Sequence, residues 1–231
     1  MSSLDVIAAV LLGVCLPAYG YLVGWPRFLR QLAAHPDTAR LREYRITLVL
    51  QWVLTLAAGM IFVRGGRTLS QLGLRAPRAG PGLVSSALVA ALALAFVRQV
   101  LTLRRSETAR QRVRAQVATM RGVLPQTAHE MRWFYVLSLT AGICEEFLYR
   151  GFFPAVLAPW LTWWGAALLG VVAFGLGHAY QGRSGIIKTA AVGLVFTLVV
   201  ALTGSLIPAM ALHALVDVGS GASVQVALGE G

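Results

Sequence analysis

Six side chains stand where an apolar helix has no ordinary use for them. Glu145, Glu146 and Arg150 occupy one apolar stretch, His178 closes a second, and His213 and Asp217 share a third. An ionised group at membrane depth is costly enough that such residues are functional by default and need partners inside a bundle. Glu146 and Arg150 are spaced i, i+4, which puts them on one helical face where they can pair. Glu145 then points about 100° away around the helix. Phe174 and His178 repeat the interval, and Gly175 and Gly177 permit close helix approach beside them. His213 and Asp217 repeat it again, so an imidazole and a carboxylate share a face. Three polar stripes of this kind suit convergence on one wet cavity. A carboxylate and an imidazole that share a water can draw off its proton. A second imidazole with a short polar neighbour can donate to the oxyanion formed on an attacked carbonyl. Peptide-bond hydrolysis fits the set.

Plainer and rival readings stand beside that one. Glu146 with Arg150 is a structural ion pair on the plain reading, His178 and His213 are packing hydrogen bonders, Asp217 caps a helix end, and Phe174 packs. Two His, a Glu and an Asp could bind zinc, but the HExxH pair is absent and no single helix carries two imidazoles at ligand spacing. No metal and no cofactor are therefore expected. Gly182-Arg183-Ser184-Gly185 reads GxSG, as in a serine hydrolase, yet Ser184 opens a span beside Arg183. Cys144 adjoins Glu145 and reads as a small buried hydrophobe. A proton-relaying transporter is a further reading of buried acids and histidines.

The elements that position these groups are membrane helices. Of 231 residues, 57% are hydrophobic and 13% are charged, about half the charged share of a soluble domain. Apolar runs of 18 to 20 residues, the length of a crossing helix, recur along the chain. Spans are expected near 5–24, 46–63, 82–103, 131–149, 161–179, 186–203 and 205–219. This is an all-α polytopic bundle of about seven spans (six to eight), read as a single integral membrane domain over 1–231. The first span reads as retained rather than as a cleaved leader. A Pro-containing piece, 152–160, reads as a turn or re-entrant segment. Segment 104–130 is rich in Arg, with Val113, Val117 and Met120 at i, i+4, i+7, and reads either as a basic amphipathic helix on the membrane surface or as a solvated connector helix. The net charge of +11 lies in loops between apolar runs, where it faces anionic lipid and sets topology. Nucleic acid is excluded as a partner on that ground, and the bilayer is expected instead. Trp133, Trp160, Trp163 and Trp164 lie near span ends, as in an interfacial belt. Cys15 and Cys144 both lie in apolar runs and make no disulfide framework.

Glu145-Glu146-Phe147-Leu148-Tyr149-Arg150, then Phe174 to His178, then His213 to Asp217, resembles the EExxxR, FxxxH and HxxxN/D series of the CPBP family, the CAAX-protease and bacteriocin-processing (Abi) membrane proteins. The three motifs occur in the family's order, each on its own apolar segment, and the resemblance covers roughly 130–220. It implies an intramembrane glutamic endopeptidase whose catalytic core is 130–220. Glu145 and His178 would activate water, His213 and Asp217 would stabilise the oxyanion, and Glu146 with Arg150 would hold the site together. Asp at 217 in place of Asn leaves the donor role open, because an ionised Asp cannot donate; it would then orient His213. The implied partner is a peptide or protein substrate in the membrane. A non-proteolytic adaptor or immunity protein keeping the fold, and a zinc-dependent protease using the same residues, are the alternatives. The Arg- and Ala/Leu/Val-rich makeup suggests a bacterial inner membrane.

Overall fold

The structure, a computed structural model, describes residues 3–229 and contains no strand among them. Helix α1 (Ser3–Ala34) includes two π turns, Leu11–Cys15 and Gly20–Gly24. Helix α2 (Pro36–Arg64) opens with Pro and carries Asp37 in its first turn, both suited to a helix start. A loop, 65–78, leads to α3 (Ala79–Arg105) and the short α4 (Glu107–Gln116). Helix α5 (Ala128–Gly177) is followed by α6 (Gly182–Thr203) and α7 (Ile207–Leu228). Among the described residues, six helical stretches are long and apolar enough to cross a membrane: α1, α2, α3, α5, Ala179–Thr203 and α7. The chain is a multi-pass membrane protein.

Helix α5 holds two of the expected spans in one element. Its 50 residues make about 75 Å of helix, more than twice the ~30 Å hydrocarbon core. It breaks at Thr162, where φ is 58° and ψ is 165°, a backbone state that costs a β-branched residue strain. The Thr162 hydroxyl accepts from Gly165 N at 3.3 Å and so caps the second arm. The expected turn at 152–160 is therefore displaced: Phe153 to Leu161 is helical and the break falls just beyond it. Pro154 is tolerated because it follows directly on a π turn, Phe147–Phe152, where carbonyls are already freed from the α ladder.

The basic segment 104–130 is likewise not one helix. Ser106 caps α4 by accepting from Ala109 N, α4 ends at Gln116, and a 3₁₀ turn covers Ala118–Met120. Gly122 and Pro125 stop any continuation. Thr127 and Glu130 then form a capping box that starts α5. The segment is pinned to the bundle. Arg114 Nε donates to the Ala227 carbonyl, Tyr44 donates to the Val123 carbonyl, and Arg40 donates to Gly122. Val113, Val117 and Met120 are half-buried on the inner side.

Packing is set by small residues. Helix α7 lies against the first arm of α5, α3 and α6, while the second arm of α5 lies against α6 and α1. A Cβ at Gly142 would meet Ala214 N at 2.8 Å and the Met210 carbonyl at 2.9 Å, so α5 and α7 touch backbone to backbone there. A Cβ at Gly175 would meet Ala190 and the Ile186 carbonyl at 3.0 Å, which joins α5 to α6 as closely. The larger core gathers Phe62, Leu148, Phe152 and Val156 around the π turn, and a second core sets Phe196, Val200, Leu206 and Leu212 between α6 and α7. Leu22, Leu56, Leu83, Ile187 and Leu202 are exposed on the outside, as expected of a lipid-facing surface.

Candidate active site

The close α5–α7 crossing at Gly142 brings the first arm of α5 against the first half of α7. Glu146 Oε1 takes hydrogen bonds from Arg150 Nη1 at 2.9 Å and from the His213 ring at Nδ1, 2.8 Å away. Both carboxylate and guanidinium are buried. Arg150 lies under the Phe174 ring at 4.1 Å and within 5.7 Å of Phe196, a cation–π setting that partly replaces lost hydration. Gly193 makes room for it: a Cβ there would collide with Arg150 Nη2 and meet Phe174 Cδ1 at 3.0 Å. His213 stacks on Phe196 at 5.2 Å and meets the edge of Phe174 at 5.9 Å. Its ring plane is fixed by aromatics and its rotation by Glu146.

With Nδ1 held, His213 presents Nε2 to two further carboxylates. Asp217 Oδ2 is 3.7 Å away and Glu145 Oε2 is 4.0 Å away. Glu145 takes a hydrogen bond from Gln51 Nε2 of α2 at 2.7 Å. The side chains grade from wet to dry: Asp217 is 36% exposed, Glu145 19%, and Glu146 0%. Water can therefore reach Glu145 and Asp217 but not Glu146.

His178 ends the second arm of α5, half-buried, with Nδ1 at 2.9 Å from the Phe174 carbonyl. A carbonyl only accepts, so Nδ1 carries a proton and Nε2 is the ring nitrogen left without that partner. Asp217 lies within electrostatic reach of Glu145, Glu146, His178 and His213 alike, so the three sequence segments meet around one carboxylate. Phe174 touches Tyr149, Arg150, His178 and His213 and works as the spacer between them.

Two members escaped the sequence reading. Gln51 was the one amide in the otherwise apolar middle of its span, which was the available signal. Tyr180 lies two residues past His178, with ring centroids 6.0 Å apart, and is within electrostatic reach of Glu145 and Asp217. Trp25 of α1 packs on Tyr180 at 5.3 Å, so the first helix reaches the same mouth. Ser184 is exposed at the start of α6. Cys144 and Cys15 are both free thiols.

Residues 127–219 match the family model described as type II CAAX prenyl endopeptidase, Rce1-like, and all three motifs lie inside that range. No curated protein and no solved structure matches the chain.

Proposed function

We propose, from the premise that residues 127–219 are an Rce1-like domain of the CPBP family, that the chain is an intramembrane glutamic endopeptidase. The observation that carries this reading is the meeting of Glu145, His178 and His213 around Asp217, with water access to Glu145 and none to Glu146. A water held between Glu145 and His178 Nε2 gives up a proton to the carboxylate as its oxygen attacks the scissile carbonyl. General-base help of this kind contributes about 10²–10⁴-fold. The carbonyl oxygen becomes an oxyanion and takes a hydrogen bond from His213 Nε2–H, for which the ring must be doubly protonated, with Glu146 as its counter-charge. Glu145 then passes its proton to the leaving amine, the C–N bond breaks, and the acid and amine products separate. The catalytic core is 130–220, in which Glu146 and Arg150 hold His213 rather than touch substrate.

The substrate class we assign is a peptide or protein segment that enters from the bilayer, and the setting is a bacterial inner membrane. The family's description names a prenyl endopeptidase; the geometry asks only for an extended peptide carbonyl near Glu145. The chemistry is assigned to side chains alone, without metal. A strong chelator leaves cleavage unchanged on this reading, whereas loss restored by zinc would replace it with a metalloprotease.

The deciding experiment compares peptide termini in membranes carrying wild type or Glu145→Ala at matched protein levels. New termini that depend on Glu145 support proteolysis and name the substrate. With a cleaved peptide in hand, His178→Ala must lose the same cleavage and Ser184→Ala must keep it. A phenotype that survives Glu145→Ala points instead to an adaptor.

A further inference from the structure

A polar cavity that shares only Arg150 with the site just described lies at the end of the bundle where α2 leaves, α3 and α7 begin, α6 ends and α5 bends. Its volume is about 310 Å³, the small end of the range for ligand pockets, about 300–1,000 Å³. Gln71, Arg75 and Arg78 of the loop form its outer wall, Arg150 its inner wall, and Trp163 and Trp164 one side. Among the described residues, no acidic side chain lines it. Arg75 Nε donates to the Gly204 carbonyl at 2.8 Å, and Arg78 Nη1 to the Leu202 carbonyl at 3.4 Å. These bonds fix the two guanidiniums on the end of α6, yet each has five N–H donors, so most remain available. Arg150 is nine-tenths buried or more, and its Nε and Nη2 have no hydrogen-bond partner.

Three guanidiniums around one hollow repel one another unless an anion joins them. Glu146 answers only Arg150, and from the far side. The pocket opens among helix ends, beside two indoles, which is where headgroups lie. We propose that this pocket binds a phosphate-type anion, with the negatively charged headgroup of a membrane phospholipid as its occupant. Planar guanidiniums match phosphate oxygens in forked pairs, the indoles cover the glycerol and upper chain, and Gln71 adds a neutral donor. The site does not depend on the proteolytic reading.

The test uses the full chain, purified in neutral detergent and stripped of lipid, and follows its thermal unfolding midpoint. Phosphatidylglycerol raises the midpoint at concentrations where phosphatidylcholine does not, and salt weakens the effect. The double variant Arg75→Gln/Arg78→Gln needs about tenfold more lipid or beyond, while Arg30→Gln, at the other end of the bundle, behaves as wild type. Ala201→Glu places a carboxylate in the pocket wall and keeps both arginines. It gives the same loss and serves if the double variant does not fold. Inorganic phosphate alone matching the lipid's effect, and lost in the same variants, keeps the anion site and makes a soluble phosphate its occupant. A shift unchanged in both Arg75→Gln/Arg78→Gln and Ala201→Glu, or no shift with lipid or phosphate, overturns the proposal.

Discussion

At the scale of single residues, Glu146 is the organising acid, although Glu145 is the wet one. Breaking a buried pair strands a charge and costs about 3–5 kcal/mol, so Glu146→Gln lowers thermal stability as well as turnover. Glu145→Gln, on the exposed side, removes turnover and leaves the unfolding midpoint within a degree or two. A thermal scan beside a cleavage assay separates the two acids. Gln51→Leu deletes the donor to Glu145, a bond to a charged group worth about 1.5–3 kcal/mol, and reduces kcat by roughly ten- to a hundredfold with KM little changed. Asp217→Asn supplies an N–H at the same position. It retains cleavage within a few-fold, whereas Asp217→Leu, which removes the polar group 3.7 Å from His213 Nε2, loses about 10²-fold, as when a group supporting an oxyanion is lost. An equal loss in both variants would remove Asp217 from the oxyanion site. The i, i+4 spacing of Glu146 and Arg150 announced their pair, because both lie on one helix. The link from Glu146 to His213 was not legible, because it crosses from α5 to α7 and 67 residues of chain. The sequence places Asp217 beside His213 at the oxyanion, with orienting that ring as its role if ionised; at 2.8 Å against 3.7 Å, Glu146 is the carboxylate closer to the ring.

At the scale of elements, the site is held by contacts that only glycine allows. Gly142 lies one turn before Glu146, where α5 and α7 meet without side chains between them. Gly142→Val forces the helices apart. Overpacking costs about 1–3 kcal/mol, and a shift near 1 Å at the reacting groups costs about 10²-fold in rate. Cleavage therefore falls far more than the amount of folded protein, which a cleavage assay normalised to membrane yield will show. Gly193→Ala displaces Arg150 or Phe174 and acts mainly on stability. Hydropathy located each span, because crossing length and apolar content set that signal. It missed the true break in α5, because a proline in an apolar run reads as a stop while here a π turn absorbs it and Thr162 carries the bend. The basic segment read as one helix, because Val113, Val117 and Met120 keep helical spacing across a junction that Gly122 and Pro125 close.

At the scale of the molecule, the motifs occupy the second half of the chain while the first half encloses them. Gln51 reaches Glu145, Trp25 reaches Tyr180, and Arg40 pairs with Glu130 at 3.5 Å. Helix α3 packs along α7. A fragment from residue 106 onward keeps every motif and still lacks the donor to Glu145 and the α3 wall. It is expected to aggregate or to lack activity in detergent, and co-expression with residues 1–105 restores both.

The local pairing of Glu146 with Arg150 also bears on the order in which the chain is made. Translation proceeds at about 5–20 residues per second, so His213 follows Arg150 by several seconds or more. During that interval the first arm of α5 meets lipid without α7. A lone charge at the centre of an inserting helix costs about 2.5–3.5 kcal/mol. Glu146 and Arg150, one turn apart, enter as a neutral couple and wait for the imidazole. Arg150→Met takes that escort away, and its first symptom is less inserted protein per transcript, seen in the membrane fraction before any assay of cleavage.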